Sequence, residues 1–78
     1  MLVEDDRPIL EMMDLLIRRL GYEPVLMPDA NVALETIRLD PPALILLDIM
    51  MVPIDGWTFL ARLRELPGMQ ELPVILFT

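Results

Sequence analysis

ALILL, residues 43 to 47, is apolar at five successive positions. Side chains alternate across a strand, so an unbroken apolar run fits a strand buried on both faces, as in the centre of a parallel sheet. The run ends in Asp48, and apolar residues resume at Ile49 and Met50. Ionised carboxylates are rarely buried unless paired or metal-bound, so the pattern calls for partners of that charge elsewhere in the chain.

The flanking segments supply the rest of such a sheet. Met1–Val3 reads as a short strand, and the stretch EDDRP leads from it into a helix over roughly residues 7 to 20, with Asp6 as its cap and Pro8 just inside. Ile9, Met12, Met13, Leu16 and Leu20 recur at helical spacing, the pattern of an amphipathic helix, and Gly21 suits the position after the helix. Residues 23 to 27 form a second strand, with Pro24 marking its start or a sheet edge. Asp29 caps a helix ending near Leu39, with Val32, Ala33 and Ile37 inward, before Pro41 and Pro42. A loop from Ile49 to Asp55 leads to a helix over about 56 to 66, with Phe59, Leu60 and Leu63 inside. The stretch LPVILFT, residues 72 to 78, is the fourth strand. The order β-α-β-α-β-α-β is that of one α/β domain over residues 1–78.

Composition narrows the function classes. The net charge is −7, and all six basic residues are arginines. Nucleic-acid binding needs cationic density, so metal cations or a basic protein surface are the expected complements. There is no cysteine or histidine, which removes disulfides and soft metal sites. The longest apolar runs are too short for a bilayer and no basic-then-apolar leader follows Met1, so neither membrane insertion nor secretion is expected.

Parallel α/β sheets bind ligands beyond the carboxyl ends of their strands. Glu4 and Asp5, Asp48, and Thr78 each follow an expected strand directly. If the first and third strands are neighbours, about 4.8 Å apart, the three carboxylates form a concentrated negative pocket suited to Mg²⁺. An aspartate beside such an ion is also a nucleophile toward phosphorus, and a threonine hydroxyl there can hold a phosphoryl oxygen.

LVEDDRP, LILLDIMM, DGW and LPVILFT, in this order and spacing, resemble the receiver domain of two-component response regulators. The resemblance implies a doubly wound sheet, of which these residues supply strand order 2-1-3-4, and a cytoplasmic signalling module rather than a turnover enzyme. It implies that Asp48 accepts a phosphoryl group from a sensor histidine kinase or phosphotransfer protein. Asp5 then holds Mg²⁺ directly, Glu4 through water, Asp48 itself and the backbone carbonyl of Met50 add ligands, and Thr78 is the switch hydroxyl. Asp55 and Gly56 match the turn into the third helix. The family usually carries Pro four residues after the acceptor and Gly next, where this chain has Val52 and Pro53. Receivers also continue through a fourth helix, a fifth strand ending in a lysine, and a fifth helix, which implies an unpaired fourth strand here and self-association through it.

Other readings of the same residues are an acidic helix start at Glu4–Asp6, a turn role for Asp48, methionines that serve the core, and a partly buried packing role for Trp57. A phosphohydrolase with an aspartate nucleophile needs a second carboxylate two positions on, where Met50 stands. The remaining alternative is a phosphorylation-incompetent fragment that serves only as a structural or self-associating module.

Overall fold

The computed structural model describes all 78 residues, Met1–Thr78. The elements are β1 (Leu2–Val3), α1 (Arg7–Arg19), β2 (Leu26–Met27), α2 (Ala30–Leu39), β3 (Ile45–Asp48), α3 (Gly56–Glu65) and β4 (Val74–Phe77). All strands are parallel, in the order β2-β1-β3-β4. Type and order of every element match the sequence expectation.

Local chemistry sets the helix boundaries. Asp6, Asp29 and Asp55 each accept hydrogen bonds from backbone N–H groups of the first turn, which have no intrahelical partner. Arginines occupy the last turn of each helix, where the dipole favours cations. Gly21, at φ 94°, takes the left-handed backbone after α1 that an L side chain resists.

The strands are shorter than the apolar runs suggest. β2 begins at Leu26 rather than residue 23, because Pro24 has no N–H to give a ladder, although Val25 O still accepts from Leu2 N at 2.8 Å. β3 starts at Ile45, and β4 at Val74 immediately after Pro73. Arg64 braces the connection into β4: its Nη1 donates to Met69 O at 2.8 Å and Leu72 O at 2.9 Å.

The core lies between the sheet and the α2–α3 layer. Val3, Ile45 and Leu47 meet Ala30, Ala33, Ile37, Phe59, Leu63 and Met51 in one buried cluster. Strand alternation turns Leu2 and Leu46 to the opposite face, where α1 lies alone. On α1 only Leu10 is buried, and much of the apolar stripe, Ile9, Met12, Leu16 and Leu20, is exposed, with Leu20 at 75%. Helical spacing reveals an apolar stripe but not which part of it the sheet covers, and one short helix covers its face incompletely. On α2, Ala33 and Ile37 are buried as expected, but Val32 is exposed and Ala30 takes the inward place. On α3, Phe59 and Leu63 are fully buried and Leu60 partly so.

Candidate functional site

The register of the short strand β1 builds the site. Leu2 pairs with Leu26 and Leu46, and Val3 with Met27 and Leu47. Glu4 therefore leaves the sheet beside Asp48, the last residue of β3, and Glu4 N donates to Met27 O at 3.1 Å. Glu4, Asp5 and Asp48 each present a carboxylate oxygen, and these oxygens lie within 4.8 Å of one another.

Burial makes the cluster chemically demanding. Glu4 is 0% exposed and Asp48 4%, the only charged side chains in the interior, while Asp5 is half-buried. Glu4 Oε1 accepts from Asp6 N at 2.9 Å, but Oε2 is buried with no partner. Burial above all pushes the Glu4 carboxyl up to about 7; the Asp6 N–H opposes this, while the neighbouring Asp48 and Asp5 carboxylates add to it. A buried, unsatisfied carboxylate oxygen facing two more carboxylates is costly without a proton or cation to share. The donor set is all oxygen, which suits a hard divalent ion, so the residues present fit Mg²⁺.

The loop after β3 closes over this cluster. Asp48 Oδ1 accepts from Met50 N at 3.1 Å, and Asp5 Oδ2 accepts from Val52 N at 3.0 Å. Gly56 N donates to Ile49 O at 2.8 Å, which brings the start of α3 against the end of β3. The loop carries the Val52–Pro53 departure noted in the sequence, and that peptide is cis. Met51 turns inward from the loop and is buried. A cleft of about 480 Å³ opens beside the carboxylates, lined by Asp5, Ile49, Met50, Met51, Val52, Asp55 and Trp57.

Glu4, Asp5 and Asp48 come together. Met50 stands exposed on the cleft wall. Thr78 follows β4, one position beyond Phe77, which pairs with Asp48. Trp57, expected as a partly buried packing residue, is 58% exposed and lines the cleft. The two donors Val52 N and Met50 N had no sequence signal, because backbone amides carry no residue identity.

The family model described as "Response regulator receiver domain" matches residues 1–78. The chain belongs to the response regulator receiver family. Among curated relatives, the transcriptional regulatory protein CseB of Streptomyces coelicolor is 37% identical over 76 residues, covering 97% of this chain and 31% of that protein. The probable transcriptional regulator ycf27 of Cyanophora paradoxa is 31% identical over 78 residues, covering 100% of this chain and 31% of its own length. The chain thus spans about a third of the curated relatives it matches. The crystal structure of the N-terminal domain of a response regulator receiver protein from Methanoculleus marisnigri superposes with TM-score 0.90 at 36% identity, covering 99% of this chain and 63% of that one. This is a receiver domain of the two-component type, with the flavodoxin-like α/β fold; the structural-module alternative is not favoured. No helix is long and apolar enough to cross a membrane.

Proposed function

We propose that this receiver takes a phosphoryl group onto Asp48, with Mg²⁺ held by Glu4, Asp5, Asp48 and the Met50 carbonyl. The observation that carries the reading is the meeting of three carboxylates within 4.8 Å, with Glu4 Oε2 buried and unpartnered among them. When bound, the ion supplies charge neutralisation for the carboxylates and for the phosphoryl oxygens.

The chain's own residues do the rest. The Met50 N–H holds Asp48 Oδ1 and fixes the carboxylate plane, leaving Oδ2 as the nucleophile. Oδ2 attacks phosphorus, the new P–O bond forms as the P–N bond of a phosphohistidine breaks, and the imidazole leaves with the bond's electron pair. The Thr78 hydroxyl donates to a phosphoryl oxygen. The donor is a sensor histidine kinase or phosphotransfer protein; the charge of −7 favours basic protein surfaces over nucleic acid, and the setting is cytoplasmic. We further infer that the 78-residue polypeptide self-associates through β4, an edge strand on which Ile75 is 54% exposed.

Trp57 offers the direct test, since it shares the cleft with Asp5 and Met50. Titration with Mg²⁺ should change its fluorescence saturably, and beryllofluoride should change it again only when Mg²⁺ is present. A flat response to Mg²⁺, with no labelling by acetyl phosphate, would overturn the reading.

A further inference from the structure

We propose that the cleft beside the carboxylates receives an arginine side chain of a basic protein partner, its stem against Met50, Val52 and Trp57 and its guanidinium between Asp5 and Asp55. This rests on the reading of a basic partner surface for its occupant, while the contact itself needs neither Mg²⁺ nor phosphoryl transfer.

Three observations carry it. The cleft, at about 480 Å³, falls within the usual range of ligand pockets, roughly 300–1,000 Å³. Its wall holds two carboxylates, Asp5 and Asp55, and no basic residue of the chain. The rest of the wall is apolar, and Met50, Val52 and Trp57 on it are exposed. A bare divalent ion gains nothing from apolar walls, and the buried carboxylates Glu4 and Asp48 do not line this cleft. A cation carried on a long apolar stem matches both halves of the lining. Arginine fits better than lysine, because its planar, weakly hydrated guanidinium stacks on an indole face and forks between carboxylate oxygens.

One feature of the fold opposes a cation here. The amino-terminal end of α3, which starts at Gly56, carries roughly half a positive charge. Two full negative charges outweigh it. Asp55 Oδ1 accepts from Thr58 N at 2.8 Å and Asp5 Oδ2 from Val52 N at 3.0 Å. A carboxylate can accept about four hydrogen bonds, so both retain capacity for a guanidinium donor.

The test uses metal-free protein in chelator, titrated at constant ionic strength with N-acetyl-arginine methylamide. The uncharged isostere N-acetyl-citrulline methylamide is the control, and the backbone amide resonances of Met50, Val52 and Trp57 are the readout. The arginine derivative should shift them saturably and the citrulline derivative should not. Asp55→Asn keeps a good helix cap and should weaken arginine binding by roughly 10-fold. Trp57→Leu should weaken it by roughly 3-fold. No saturable shift, an equal response to both derivatives, or an affinity unchanged in either variant would overturn the inference. If Asp55→Asn fails to fold, Trp57→Leu, at an exposed position, decides alone. Mg²⁺ is absent throughout, so failure here is distinct from failure of the Mg²⁺ titration that tests the phosphoacceptor site.

Discussion

A Cβ atom on Gly56 would lie 2.5 Å from the backbone oxygen of Asp48 and 2.7 Å from Cα of Ile49. Both obstacles are backbone, so no side-chain rotation relieves them. Helix α3 thus begins against the peptide of Asp48, and glycine is what permits that approach. Gly56→Ala is expected to destabilise the fold by about 2 kcal/mol or more and to weaken Mg²⁺ binding, because relief requires moving β3 or α3. Urea unfolding and Trp57 titration on the same sample check both effects.

The buried Glu4 predicts a pH dependence of stability in metal-free protein. Its carboxyl is raised from 4.5 to about 7, mainly by burial. Between those values the folded chain holds a proton that the unfolded chain has released, so stability falls as pH rises. The contribution is fully present below about 4.5 and is lost as pH passes through about 7. The gap corresponds to roughly 3 kcal/mol. Unfolding free energies at pH 5 to 8 in chelator should show this decline in wild type, at about that order. Glu4→Gln should flatten it; an unchanged slope in that variant would assign the effect elsewhere.

Asp48→Asn removes the oxygen proposed as nucleophile and should abolish labelling by acetyl phosphate while leaving the fold intact. Asp5→Asn keeps the nucleophile and should chiefly raise the Mg²⁺ concentration needed for labelling. Mass spectrometry with and without excess Mg²⁺ separates the two outcomes.

Packing predictions follow from the observed faces rather than from the apolar pattern. Phe59 is fully buried between the sheet and the α2–α3 layer, and Phe59→Ala should cost about 3–5 kcal/mol, enough to unfold a small domain. Val32, exposed on α2, should tolerate alanine within about 0.5 kcal/mol. Thermal unfolding followed by circular dichroism distinguishes these two.

Ile75→Lys places a charge on the open edge strand and should shift the 78-residue polypeptide toward monomer in sedimentation. Unchanged sedimentation of wild type and variant, both monomeric, would remove β4 as an association surface.

The elements and their order were legible because prolines, aspartate caps and apolar periods mark them locally. The meeting of Glu4, Asp5 and Asp48 was legible for a different reason: residues that directly follow parallel strands share one edge. Side-chain burial was less so. The stripe Ile9–Met12–Leu16 repeats correctly for a helix, yet the sheet covers Leu10 instead, because coverage depends on where α1 crosses the strands. Aromatic size suggests a packing role for Trp57, but not that its position at the first turn of α3 sets it on the wall of the cleft. The Val52 and Met50 amides lay outside any sequence reading, since every residue but proline owns such a group.

The strand that delivers two of the three acidic side chains is only Leu2 and Val3 long. That segment is nevertheless paired with β2 on one side and β3 on the other, and both of its side chains are fully buried, so the charge cluster is tied directly to the core. A cation bridging Glu4 to Asp48 would work as a clasp across the β1–β3 pair, making occupancy of the site and cohesion of the sheet a single equilibrium.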